Sequence, residues 1–387
     1  MFALNNIENK IEQWYSSKNW KFIATVHAFL LACLFSFPRI PDLLNTSACC
    51  QNESYWHIYD MQKNAPFDKN IFKDASPESH HSNMALRIGV PILGKIFHLN
   101  RAFVLALQYL LGMVLFYCVV HFSYENINNK FISICFIFST ALIYAGKMAF
   151  VQTGGYFDTF AIVPLLAAMM INKHWGYFIG VIFSSFCDER AVVSIGFIAL
   201  YLLFHKNKER YYHIISIAVG GITYIILRYY ITTAYGLVTP AVSQAYGLAI
   251  STLYKNKTHY LTEIFKNFEG LWVLMIASYY CLFVNHKYII LILISGWYLI
   301  TCVVSFMVWD MDRSLAYSIP LLFIAIYHIK QYVDIQGIKI IAAISLLFCF
   351  LFPTNPIMGA YNKYGNSNWF VIEFARYVYE LYTAGKL

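Results

Sequence analysis

The sequence predicts an all-helical bundle that crosses a membrane many times, and three observations carry that reading. Of the 387 residues, 59% are hydrophobic and 18% aromatic. Only 12% are charged, about half of the roughly 25% usual in a soluble domain. The apolar residues are also gathered into long runs between short polar turns, at approximately 20–38, 102–123, 131–149, 158–171, 175–187, 191–204, 213–232, 271–284, 288–307, 314–329 and 339–352. Eleven spans are therefore expected in one transmembrane domain covering residues 1–387.

Taken in order, residues 1–19 are polar and read as a cytoplasmic N-terminus. The first apolar run lacks a small-residue cleavage site and reads as a retained signal-anchor helix. Residues 39–101 form a first outer loop. Within it, Leu86 to Leu99 (LRIGVPILGKIFHL) is too short to span and reads as an interfacial amphipathic helix, with Arg87 and Lys95 at headgroup depth. The fourth, fifth and sixth spans hold only about 13 or 14 residues, against about 20 for a full crossing. Short spans are tolerated where protein or a water-filled cavity covers their ends, so these hint at a cavity open to one face. Residues 233–270 and 354–387 read as an outer loop and an outer tail.

The short loops predicted to lie inside each carry lysine, with Lys206, Lys208 and Arg210 in one of them. The opposite turns carry Asp158, Asp188, Glu189, Asp310 and Asp312. By the positive-inside rule the acidic turns face outward. The net charge of +8 is spread over many loops and forms no basic stripe, which argues against a nucleic-acid partner. Seven of the nine cysteines sit singly in apolar runs and read as small packing residues, while the adjacent Cys49-Cys50 has no assigned role. There is no phosphate-binding glycine loop, no G-x-S-x-G elbow and no H-E-x-x-H pair.

Charges next to apolar spans are costly unless they do something. Four such clusters share the outer side. The first loop offers Asp42 and Asp60 as candidate general bases, each set against simple solvation. It also holds His80 and His81, whose spacing fits substrate hydrogen bonding better than metal ligation. Arg87 stands where a lipid phosphate would lie, and the alternative is a snorkelling anchor. Asp158 opens a span and has helix capping as its simplest explanation. Asp188-Glu189-Arg190 interrupts a long apolar stretch. Asp310-Met311-Asp312-Arg313 precedes a late span, and Arg228 lies at similar depth near the end of another.

On these residues — the acidic first loop, Arg87-Ile88-Gly89-Val90-Pro91, Asp188-Glu189-Arg190 and Asp310-x-Asp312-Arg313 — the chain resembles the polytopic glycosyltransferases of the GT-C superfamily over roughly residues 20–330. The resemblance implies a GT-C-like bundle in a bacterial inner membrane with its active site facing the periplasm. It implies transfer from a polyprenyl-phosphate sugar to a glycan or lipid-linked acceptor in surface-polysaccharide synthesis. A first-loop carboxylate, Asp42 or Asp60, would be the base, joined by Asp188 and Glu189 as further catalytic candidates. Arg87, Arg228 and Arg313 would hold the donor phosphate, while His80, His81, Asp158, Arg190, Asp310 and Asp312 would bind substrate. No cofactor is required by this scheme, although the clustered first-loop acids could take a divalent metal. The chain departs from the family pattern in lacking a large C-terminal soluble domain. An O-antigen or capsule repeat-unit polymerase, and a non-enzymatic lipid or sugar transporter, are the competing expectations.

Overall fold

The computed structural model describes residues 2–36, 55–72, 84–205, 208–237, 250–308 and 310–352, together with Tyr379, Tyr382 and Thr383. Asp42, Cys49-Cys50, His80 and His81 lie outside them. Every regular element among the described residues is helical. An N-terminal helix α1 (Phe2–Trp14) precedes α2 (Trp20–Phe35), the first apolar run. In the first loop lie α3 (Trp56–Asn64) and α4 (Gly89–Ile96). Then follow α5 (Arg101–Ile127), α6 (Lys130–Leu142), α7 (Tyr144–Val151), α8 (Asp158–Ile171), α9 (His174–Cys187), α10 (Ala191–Phe204) and α11 (Arg210–Tyr235). The last group is α12 (Tyr260–Phe268), α13 (Trp272–Val284), α14 (Tyr288–Phe306), α15 (Met311–Ala316), α16 (Pro320–Tyr332) and α17 (Ile335–Leu351).

Each of the eleven apolar runs is mostly helical over its described residues. Four helical stretches are long and apolar enough to cross a membrane, namely Arg101–Ile127, Arg210–Tyr235, Tyr260–Val284 and Tyr288–Phe306. A fifth follows if the pair α6 and α7, bent by 51°, counts as one span. These are the features of an integral membrane protein. The helix ends follow local chemistry. Asn100, Asn129 and Asp334 accept amide hydrogens at the starts of α5, α6 and α17. Asn128, Asn172 and Gly236 close α5, α8 and α11 in the left-handed conformation.

The core is one continuous apolar cluster centred on α5, α6, α8 and α16, whose residues from Phe131 to Ile137 and Leu321 to Ala325 are almost wholly buried. Helix α11 lies at the periphery: only 22% of its most apolar window is buried, and Ile222, Ile225, Ile226 and Tyr229 are exposed. That exposure suits a lipid-facing helix. Small residues bring the short helices together. Gly180 of α9 lies against the Pro164 carbonyl of α8, and Gly176 packs on Ala168, a small-x-x-x-small contact. Trp297 of α14 lies flat on Gly196 of α10 and donates its indole hydrogen to the Val193 carbonyl at 3.0 Å.

Four expectations change. The expected third span is broken at Ile143, because Gly146 lets α7 fold back against the Thr140 carbonyl. Residues 260–270, expected as part of a loop, are helical: α12 starts at Tyr260 and continues through a 3-10 turn, Glu269–Leu271, into α13, and Tyr260–Val284 is long and apolar enough to cross a membrane. Its charged residues depress hydropathy, yet Glu263 and Lys266 neutralise each other one helical turn apart at 2.8 Å. The tenth run starts as the separate short helix α15 before Pro320 opens α16. Helix α4 is shorter than Leu86–Leu99 and packs one face on protein, with Gly89 against Cys187 and Gly94 against the Tyr59 ring.

Gly146→Ala places its methyl 1.9 Å from the Thr140 carbonyl oxygen, a backbone clash that rotamer change does not relieve, and should destabilise the fold by at least about 2 kcal/mol. Gly221→Ala, on the lipid-facing side of α11 with nothing within 4 Å, should be neutral or stabilise by up to about 1 kcal/mol. Thermal unfolding in detergent micelles compares the two.

Candidate functional site

The site begins with three pieces of local structure. Asp158 is the first residue of α8, where the helix dipole favours a carboxylate. Its approach is set by the turn 152–157. Gly155 there has a φ of +87°, and a side chain on it would strike the backbone of Tyr55 and Trp56 at 3.0 Å. The Tyr55 amide and the Trp56 indole donate to the Gly154 and Thr153 carbonyls, each at 2.7 Å. Asp188 ends α9 and accepts the Arg190 backbone amide at 2.9 Å, so an Asx turn shapes the α9–α10 hairpin. On the last segment, Asp310, Arg313, Ser314 and Tyr317 are spaced i, i+3, i+4, i+7, one face of a helix.

These pieces meet in a linear chain of seven alternating charges. Glu189 takes two hydrogen bonds from Arg87, at 3.0 and 2.7 Å. Arg87 also reaches Asp188 Oδ2 at 3.0 Å. Asp188 accepts Arg190 Nε at 2.9 Å and Nη2 at 2.6 Å, and Arg190 Nη2 lies 3.0 Å from Asp158 Oδ1. Asp158 next accepts Arg313, with Nε on Oδ2 at 2.9 Å. Arg313 Nη1 ends the chain on Asp310 Oδ2 at 2.8 Å. Neutral hydroxyls support it: that of Tyr317 donates to Asp158 Oδ1 at 2.8 Å, and that of Ser314 accepts from Arg190 Nη1 at 3.1 Å. Tyr156 carries the Arg313 guanidinium 4.1 Å above its ring, a cation–π contact.

Burial grades along this chain. The side chains of Asp188, Asp158 and Arg313 are 1%, 3% and 1% exposed, whereas the terminal Glu189 and Asp310 are 38% and 30% exposed. The open ends are therefore carboxylates. Burial by itself would raise Asp188, but Arg190 and Arg87 outweigh it and hold the carboxyl well below its usual range. Four acids against three arginines leave the chain one negative charge in excess when all are ionised.

Asp312 stands beside the chain. It accepts the Arg313 amide at 2.9 Å and makes no ion pair among the described residues. Burial, and then the nearby Glu263 carboxylate, push it up to about 6. That places one carboxylate that titrates near neutral pH beside the seven-member chain.

The structure thus brings together Arg87, Asp158, Asp188, Glu189, Arg190, Asp310 and Arg313, with Asp312 adjoining. Asp60 does not join them. It is half-exposed on α3 and pairs with Arg101 at 2.5 Å. Arg228 donates to the Tyr224 hydroxyl at 2.7 Å and has no ion pair among the described residues. Tyr224 in turn lies within the field of Glu189 and Asp188, so Arg228 borders the chain without entering it. Arg87 and Arg313, expected to hold phosphate, spend their donors on carboxylates, because the buried acids leave them no other neutralising partner. Sequence reading assigned no role to Tyr156, Tyr317, Ser314 or Glu263. The helical register with Arg313 was the available signal for Ser314 and Tyr317; nothing in the sequence marked Tyr156 or Glu263. No group of three His, Cys, Asp or Glu side chains among the described residues is arranged to hold a metal ion.

The chain matches no protein-family model, no curated protein and no solved structure.

Asp158→Ala should destabilise the protein by about 3 kcal/mol, since it takes one of two carboxylate partners from each of two largely buried guanidiniums, while Asp60→Ala should change stability by less than about 1 kcal/mol; chemical denaturation in micelles reads both. The raised carboxyl of Asp312 adds a pH dependence of known sign. Its contribution is complete below the ordinary carboxylate range and is lost as pH rises through about 6. Asp312→Asn should therefore gain stability over the wild type more at neutral pH than near pH 4, measured as the difference between their melting curves.

Proposed function

We propose that this chain is a membrane glycosyltransferase with some eleven spans and a GT-C-like architecture. It moves a sugar from a polyprenyl-phosphate donor to a hydroxyl of a glycan or lipid-linked acceptor, at the periplasmic rim of a bacterial inner membrane. The observation that supports this most is the chain of seven alternating charges, drawn from four separate segments to one end of the helices and terminating in two half-open carboxylates. Such a group is costly to assemble beside a bilayer, and a structural hairpin needs far less.

In the proposed reaction Asp312 is the base. It lies outside the ion pairs and near neutrality, the condition under which a carboxylate both is ionised and accepts a proton usefully. It takes the acceptor hydroxyl proton as that oxygen bonds the anomeric carbon. The bond from the anomeric carbon to the phosphate oxygen breaks, and the polyprenyl phosphate leaves with the electron pair. Glu189 and Asp310, the more exposed carboxylates of the chain, accept sugar hydroxyls. The excess negative charge of the chain repels a phosphate, so that role passes to Arg228, whose guanidinium has no competing acid among the described residues.

A repeat-unit polymerase would use the same rim and differ in its product. A transporter draws on a different feature, the wholly buried Lys147 and Glu269 within the bundle, since ionisable groups there accompany transport.

Membranes containing the chain, supplied with a radiolabelled polyprenyl-phosphate hexose and an oligosaccharide acceptor, test the proposal. Asp312→Asn should lower turnover about 100-fold or more with little change in donor KM, and Arg228→Ala should raise donor KM about tenfold. A single labelled addition is expected, where a polymerase would yield a ladder. Wild-type kinetics in both variants would overturn the assignment.

A further inference from the structure

Helices α8 and α9 run from the rim cluster to the opposite end of the bundle, where the turn between them has a setting of its own. Each helix has 14 residues, about 21 Å at 1.5 Å per residue, whereas a hydrocarbon layer is about 30 Å thick. With Asp158 and Asp188 held in the rim cluster, the far turn falls roughly 9 Å short of the opposite interface. That turn is polar. Asn172 takes the left-handed conformation with a φ of +50°, and the exposed Lys173 and His174 follow it. A hairpin this short requires the lipid around it to thin, so that headgroups come down to the turn.

The outer side of the same hairpin is hollow. An open groove of about 220 Å³ runs between α8 and α9, walled by Pro164, Ala167, Ile171, Trp175, Ile179 and Phe183. Gly176 and Gly180 also line it, and with no side chains they leave it unfilled. Ile171, Trp175 and Ile179 are half-exposed. A groove with wholly apolar walls on a membrane helix pair is a place for hydrocarbon. Ile171 and Trp175 lie at its polar end, directly flanking the turn, and tryptophan is the residue that favours headgroup depth.

Charge at that end is positive. His213 of α11 is wholly buried, with Nε2 3.2 Å from the Asn172 carbonyl and its ring 4.9 Å from that of Tyr177. These contacts fix the start of α11 against the turn. One helical turn before His213 stands Arg210, with Lys208 just ahead of it. Arg210 donates to the Leu203 carbonyl and the Tyr211 hydroxyl, neither of which neutralises it. With Lys173 these make three cations, against the single acid Glu209 on the same two segments. The opening amides of α9 add the positive end of its dipole.

We propose that the α8–α9 hairpin binds one anionic phospholipid, with its phosphate at Lys173 and the head of α11 and one acyl chain in the groove. Basic pockets between membrane helices select acidic headgroups in this way. A zwitterionic lipid fills the groove equally well but offers the cations no net charge. The bound lipid closes the shortfall at the turn and braces the hairpin that carries both Asp158 and Asp188. It lies a full helix length from the rim, and its binding does not depend on the reaction proposed there.

Native mass spectrometry of the whole chain, released from neutral detergent micelles, tests this without a transfer assay. Given equal amounts of phosphatidylglycerol and phosphatidylcholine with identical chains, the wild type should retain the anionic lipid at least about fivefold over the other, the worth of one cation near a charged surface. Lys173→Gln should lower that ratio about fivefold. Lys287→Gln, at the exposed turn before α14, should leave it unchanged. Ala167→Phe fills the groove and should reduce retention of both lipids severalfold; should it not fold, Ala167→Leu serves in its place. Equal retention of the two lipids by the wild type, or equal loss of preference in the two lysine variants, would overturn the proposal. Displacement of the lipid by millimolar glycerol phosphate would overturn it in favour of a bare phosphate site. A dimer that Ala167→Phe dissociates would overturn it in favour of a second copy docked in the groove.

Discussion

Alternation of charge is the constraint on which the rest of this molecule depends. An isolated guanidinium or carboxylate cannot be held beside an apolar bundle without compensation, and each buried member of the rim chain is satisfied by a neighbour of opposite sign on either side. The order acid, base, acid, base leaves no like pair in direct contact. It also joins the turn before α4, the head of α8, the α9–α10 hairpin and the head of α15. Four stretches far apart in the chain thereby share one end of the bundle. The short helices α8, α9 and α10 are tolerable because the polar groups at their ends are met by protein.

The same satisfaction limits chemistry. Arginines that neutralise buried acids are poor anion receptors, and the surplus charge at this rim is negative. Glu189 and Asp310 are exposed enough to meet a solute, Asp312 lies beside the chain with no ion pair among the described residues, and Arg228 on α11 bonds the Tyr224 hydroxyl at its border. Fixed charges of this kind need not reorganise as new charge develops beside them.

Helix interruption recurs where polar groups enter the bundle. The bend at Ile143, the left-handed residue Glu269 and the break before Pro320 all lie between the rim and the core, and each is bordered by a close backbone contact or a specific bond. Gly146 meets Thr140, Gly270 meets Ser345, and Asn267 bonds Ser318 Oγ at 2.7 Å across the last break. A straight α6–α7 helix would carry Lys147 and the 152–157 turn away from α12 and α15.

Much of the architecture was legible in the residues. Composition and long apolar runs pointed to a helical membrane protein, and the charged turns at Asp158, Asp188-Glu189-Arg190 and Asp310–Arg313 were recognisable because charge beside an apolar run has few innocent explanations. Spacings of three and four residues put Asp310, Arg313 and Tyr317 on one face, a signal in the sequence that the reading of it did not use. The partnerships were not legible: Asp60 and Arg87 both read as site residues, a base and a phosphate ligand, yet one meets solvent and Arg101 while the other is buried between Asp188 and Glu189. Nor did hydropathy separate a straight span from a bent one, since it sums side chains and is blind to a glycine that admits a carbonyl. Which elements are helical follows from local and transfer energies, which belong to each residue alone; which charges neutralise one another depends on distances between segments more than a hundred residues apart, and those exist only once the helices have packed.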